Sequence, residues 1–167
     1  THGENWTTNK GWMNDGIDHC QWHGITCDDD DYVTSIDLRN NSLSGQFPVY
    51  SRKDIYGEPF LESNWLFSKY GLANLYKLET VNLSEIKLTG TIEYRPLYNL
   101  ASLTHFDVSG NQLSGEINAL VTPVLTYANF RGNNFTSMRR FEEYKGSYQT
   151  LRYCDVSNNA IQMNVTA

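Results

Sequence analysis

At 167 residues and 19.2 kDa the chain is long enough for one domain with a sizeable core. Its formal net charge of -6, pI of about 5.1 and 13 scattered Lys and Arg residues argue against nucleic acid, which needs a clustered basic surface. The apolar runs are far too short for a membrane span, and Thr1 opens a polar stretch without a signal peptide. The segment itself therefore makes no membrane contact and reads as a mature chain or an expressed fragment, with any leader or anchor outside it.

Residues 1–32 hold Trp12, Trp22, two cysteines seven apart (Cys20 and Cys27) and the acidic run Asp28–Asp31. That run lacks the alternating ligands and the glycine of a calcium loop, so it reads as a solvated acidic turn. From Val33 the chain begins to repeat. "VTSIDLRNNSLSGQFP" from Val33 aligns with "LETVNLSEIKLTGTIE" from Leu78, "LTHFDVSGNQLSGEIN" from Leu103, "LTYANFRGNNFTSMRR" from Leu125 and "LRYCDVSNNAIQMNVT" from Leu151. All five follow apolar-x-x-apolar-x-apolar-x-x-(Asn)-x-apolar, and their starts lie 45, 25, 22 and 26 residues apart. The last three spacings fall within about 20–29 residues, and the first is nearly two periods. The excess sits in an irregular insertion at about 49–77. There Phe60, Leu61, Trp65, Leu66 and Tyr70 recur at roughly helical intervals before Gly71, so a helical excursion is expected, with a degenerate repeat as the alternative.

No single repeat can bury its own apolar atoms, but stacked coils can. The first, fourth and sixth positions should point inward from a short parallel strand, and the eleventh should fill the far side. Strands are expected at Ser35–Leu38, Thr80–Leu83, His105–Val108, Tyr127–Phe130 and Tyr153–Val156. At the ninth position Asn41, Asn111, Asn133 and Asn159 can donate and accept, satisfying backbone groups of their own turn and of a neighbouring coil. Ile86 breaks that column. Gly45, Gly90 and Gly115 permit a tight bend after the extended segment.

These motifs resemble the leucine-rich repeat, and "LSGQFP", "LTGTIE" and "LSGEIN" resemble its plant-type subclass. "DHCQWHGITCDDDDYVTSIDL" is similar to the N-terminal cap of plant receptor-like proteins and polygalacturonase inhibitors, with Cys20, Trp22, Gly24, Ile25 and Cys27 matching Cys-x-Trp-x-Gly-Val/Ile-x-Cys. The resemblance implies an α/β solenoid. It would be a right-handed superhelix of about five coils with one parallel sheet on the concave face, capped by residues 1–32 and running over 33–167, from a plant or algal source. Trp12 and Trp22 would cover the open end of the first coil. The cap spacing implies a Cys20–Cys27 disulfide; a metal half-site fares worse, because His19 and His23 supply no second pair at zinc-like spacing. Cys154 stands in the inward fourth position with Ile36, Val81, Phe106 and Ala128, so it is expected to be a buried, inert small hydrophobe.

Five sequons, at Asn5, Asn40, Asn82, Asn134 and Asn164, together with a cap disulfide point to a secreted or cell-surface glycoprotein. Asn5 and Asn134 look the most accessible, whereas Asn82 points from a strand. No catalytic constellation or cofactor motif emerges, so an enzyme is not expected. On the concave face the third position ends in His105, Tyr127 and Tyr153. The fifth reads Asp37, Asn82, Asp107, Asn129, Asp155, and the seventh contains Arg131. With Arg152 these make an aromatic and cationic patch at the C-terminal end, of the composition found in binding hot spots. The favoured reading is an extracellular recognition module, a receptor-like or co-receptor ectodomain docking a peptide, protein or glycan. The alternative is a secreted wall or matrix protein, either a glycosidase inhibitor or an adhesive component. An exposed last coil (Leu151, Cys154, Val156, Ile161) would favour self-association through that end.

Overall fold

A computed structural model describes residues 6–12, 14–46, 75–92, 97, 100–117, 122–138 and 150–162. Most of the 49–77 insertion, including its expected helix, and the sequons at Asn5 and Asn164 lie outside the described residues.

Five short parallel strands form where the inward triplets demand them: β2 (Val33–Asp37), β4 (Thr80–Asn82), β6 (His105–Asp107), β8 (Tyr127–Asn129) and β10 (Tyr153–Asp155). They pair in matching register, fourth position on fourth: Ile36 on Val81, Val81 on Phe106, Phe106 on Ala128 and Ala128 on Cys154. The cap adds β1 (Ile25–Cys27), antiparallel to β2, as a sixth strand that covers the first edge. Gly24 lets this happen. Its φ is +81°, and a Cβ there would stand 2.2 Å from the carbonyl oxygen of Asp37, so only glycine allows the cap to close on β2.

A second parallel sheet runs along the flank where the chain leaves the first. Its strands are β3 (Gly45–Gln46), β5 (Leu88–Thr91), β7 (Gln112–Ile117) and β9 (Asn134–Met138), paired in that order. The Leu-Ser/Thr-Gly stretch that reads as a bend is therefore a strand. Its hydroxyl is the rung between coils: Thr89, Ser114 and Thr136 each donate to the carbonyl of the preceding coil's glycine, Gly45, Gly90 and Gly115, at 3.2, 3.3 and 3.2 Å.

In each of the five described coils the chain leaves its strand of the six-stranded sheet through a left-handed residue at the eighth position. These are Asn40, Glu85, Gly110, Gly132 and Asn158, with φ between +54° and +66°. Asn and Gly occupy that region readily, so Glu85 is the strained member. The turn is held by the ninth-position amides. Asn111 accepts from the N–H groups of Ile86 and Leu88 (3.2 and 2.9 Å) and donates to the carbonyls of Leu83 and Val108 (2.8 and 2.9 Å). Asn133 and Asn159 repeat the pattern one and two coils on. Asn41 instead joins the first coil to the cap through both backbone groups of Thr8, and Ile86 is buried without an amide.

The core is one continuous apolar column that includes Ile36, Leu38, Leu78, Val81, Leu103, Phe106, Phe130 and Phe135. Burying side chains of that size contributes roughly 1.5–3 kcal/mol each. Trp12 seals the cap end as expected, but it does so with Trp6, which is equally buried. Trp6 packs on Trp12 with ring centroids 5.0 Å apart, and Trp12 on the half-buried Trp22 at 4.9 Å. At the other end the expectation for Cys154 fails. The residue holds the inward register opposite Ala128, yet it is exposed, because among the described residues β10 is the last strand of its sheet and no coil covers its far side.

Candidate functional site

Three columns of side chains run along the outward positions of the six-stranded sheet, open to solvent at the C-terminal end but buried at Asn82, Ser84 and Asp107. In the third-position column β6, β8 and β10 place His105, Tyr127 and Tyr153 in line. Their rings stack nearly parallel, with centroids 4.0 and 4.5 Å apart and interplanar angles of 4° and 6°. That separation is close to the distance between neighbouring strands, so in-register pairing alone brings the rings face to face. Burial lowers the pKa of His105 from its ordinary value of 6.5, against the opposing pull of Asp107. Tyr153 closes the stack and is 43% exposed.

In the fifth-position column, acid and amide alternate: Asp37, Asn82, Asp107, Asn129, Asp155. Like charges on adjacent strands would repel, and the intervening Asn separates them. Each side chain also closes its own turn. Oδ1 of Asp107 accepts from the N–H and hydroxyl of Ser109 at 2.8 and 2.7 Å, while Oδ2 accepts from the Asn129 amide at 3.1 Å. Asn82 makes the corresponding bonds to Ser84 and is only 8% exposed.

The seventh-position column carries the cations. Arg39 pairs with Asp37 at 2.8 Å. Arg131 donates to the Ser157 hydroxyl at 2.8 Å and lies 3.8 Å from Asp155. The Ser157 hydroxyl and N–H, with help from Arg131 and Tyr153, hold the Asp155 carboxyl below its ordinary pKa. Exposed ion pairs of this kind stabilise little and leave the guanidinium available to a partner. The structure thus brings His105, Asp107, Tyr127, Asn129, Arg131, Tyr153 and Asp155 onto one face, but Asp107 is only 8% exposed and its carboxylate is spent on Ser109 and Asn129. Arg152 is also exposed, one residue before Tyr153 and at the strand's entrance.

At the cap end the run Asp28–Asp31 is more than a solvated turn. Asp28 accepts from the N–H groups of Asp30 and Tyr32, and Lys77 Nζ lies 2.7 Å from its carboxylate and 4.1 Å from the Tyr32 ring centroid. Tyr32 in turn packs against Tyr76 at 5.6 Å. Because Lys77 follows Asp28 by 49 residues, no local signal could have shown this contact.

The cap disulfide is formed, Cys20 to Cys27, with Cα atoms 5.6 Å apart. His19 and the two sulfurs lie within 4.8 Å of one another, but sulfurs committed to a disulfide leave a single imidazole and no metal-ligand set there. No helix among the described residues is long and apolar enough to cross a membrane.

A family profile described as Leucine Rich Repeat matches residues 102–122. Receptor-like protein 41 of Arabidopsis thaliana is 36% identical over 127 residues, which cover 72% of this chain and 14% of that relative. The chain thus spans about one seventh of the curated relative's length. Among solved structures, the BIR2 ectodomain from Arabidopsis thaliana superposes with a TM-score of 0.70 at 20% identity, over 93% of this chain and 71% of that one. A chain of the Arabidopsis receptor kinase HAESA in complex with the peptide hormone IDA and the co-receptor SERK1 superposes with a TM-score of 0.59 at 26% identity, over 90% of this chain and 26% of that one.

Proposed function

The chain is a leucine-rich-repeat protein similar to plant receptor-like ectodomains, and on that premise we propose that it is a non-catalytic extracellular recognition module docking a peptide or protein on its six-stranded sheet. The observation that carries this reading is the His105–Tyr127–Tyr153 stack, open to solvent at Tyr153 and flanked by the Asx column and Arg131. Pre-ordered aromatic rings cost little entropy on binding, and Tyr and Arg dominate interface hot spots. The half-buried Asn129 and Asp155 at the C-terminal end of the Asx column suit the polar groups of an extended peptide, and the exposed Arg131 suits a ligand carboxylate. A HAESA complex holding a peptide hormone and a co-receptor lends support by likeness of fold.

The test is a binding screen of the secreted chain against plant peptide hormones, receptor-kinase ectodomains and wall glycans. A peptide or ectodomain should bind, with Tyr153→Ala and Arg131→Ala each weakening it by roughly tenfold or more. Binding only to a wall polysaccharide or a wall-degrading glycosidase would overturn the reading in favour of a wall protein. So would a peptide complex indifferent to both substitutions.

A further inference from the structure

We infer that Asn40 and Asn134 carry N-glycans whereas Asn82 stays bare, so that sugar covers the flank of the second sheet and leaves the six-stranded sheet open. The three described sequons have the same chemistry and differ in placement. In Asn40-Asn41-Ser42 and in Asn134-Phe135-Thr136 the first and third residues are exposed and only the middle one is buried. In Asn82-Leu83-Ser84 all three are buried. Asn82 Oδ1 is held by the N–H and hydroxyl of Ser84 at 3.1 and 2.8 Å, between Asp37 on one strand and Asp107 on the next. A sugar on Asn82 would have to leave through the middle of the Asx column, displacing the residues that close the turns of β4 and β6. A sugar on Asn134 leaves from β9, and one on Asn40 from the left-handed turn between β2 and β3. Both of those positions lie after the six-stranded sheet in their coils.

The modification joins Asn Nδ2 to the anomeric carbon of an oligosaccharide supplied as its lipid pyrophosphate. The new C–N bond replaces the C–O bond to pyrophosphate, the lipid pyrophosphate leaves, and the amide gives up one proton. The inference requires passage through the secretory route but is independent of which face binds.

Protein secreted from a eukaryotic host is deglycosylated with peptide N-glycosidase in heavy-oxygen water, which converts each occupied Asn to labelled Asp, and is then mapped by mass spectrometry. Label is expected at Asn40 and Asn134 and not at Asn82. Ser42→Ala and Thr136→Ala, which keep both asparagines, should each remove the mass of one glycan. Label at Asn82, or its absence from Asn40 or from Asn134, overturns the inference. Since occupancy is read without any ligand, this outcome is distinguishable from failure of the binding reading.

Discussion

Replacing Asn111 by Ala tests the inter-coil ladder most sharply. The side chain is 6% exposed, so water cannot replace its bonds. Its loss strands the N–H groups of Ile86 and Leu88 and the carbonyl of Leu83. Val108 O survives, because it also accepts from Asn133 at 2.9 Å. Orphaning a buried polar group costs about 1–3 kcal/mol, and some relaxation is expected, so the sum should be about 4 kcal/mol. Asn133→Ala differs in kind. Its carbonyl partners Val108 and Phe130 keep bonds from Asn111 and Asn159, so the ladder group stranded is the Leu113 N–H, and the loss should be about 2 kcal/mol. Asn159 is half-buried, so water softens its loss to about 1 kcal/mol. The asymmetry originates in Ile86, which leaves Leu83 O with no amide from its own coil. Urea unfolding of the three variants would show it as midpoints falling in the order Asn159, Asn133, Asn111 at unchanged slope. Equal losses at Asn111 and Asn133 would refute the reasoning.

Glu85→Gly should stabilise by about 0.5–1 kcal/mol, because it removes a left-handed non-glycine residue at a position where the next two coils have Gly110 and Gly132; calorimetry should show a rise of about 1–4 °C, and a fall would sink the strain argument. Cys154 should react with a disulfide reagent in the native state while Cys20 and Cys27 do not. Its thiol touches solvent on one side, but burial on the other, followed by the Asp155 charge, raises its pKa above the ordinary value. The reaction should therefore be slower than that of a free thiol at neutral pH and accelerate into the alkaline range. The Asp28–Lys77 contact gives a pH window. The hydrogen bond from Lys77 does most to lower the Asp28 pKa, so that contribution is present above the unfolded value of about 3.9 and lost as pH falls through the folded one. Asp28 raises the Lys77 pKa, so its contribution is present below about 10.4 and lost as pH rises through the folded value. Amide protection at Tyr32, taken relative to the intrinsic exchange rate at each pH, should be greatest between those limits and fall outside them; a flat protection profile would show the contact to be ornamental.

What could be read from the chain before folding is whatever one repeat spells out locally and the next repeats again. The inward triplets, the Asn column and the period placed β4, β6, β8 and β10 to within one residue and β2 to within two, because their side chains have one way to bury. The outward columns followed from the same register, so His105, Tyr127 and Tyr153 were legible as neighbours. Other features depended on pairing between coils. The second sheet is built from stretches as short as Gly45–Gln46, with no alternation to betray a strand, and it exists because each Ser or Thr hydroxyl meets the preceding coil's glycine carbonyl. Asn82 looked like any outward Asx until its neighbours on β2 and β6 enclosed it. Trp6 joined the seal, and Lys77 the acidic turn, only by folding across the sequence. Cys154 occupies an inward position by register, yet burial is a property of what stacks on a coil. The residue itself could specify its direction, but only the tertiary structure could decide whether anything covered it.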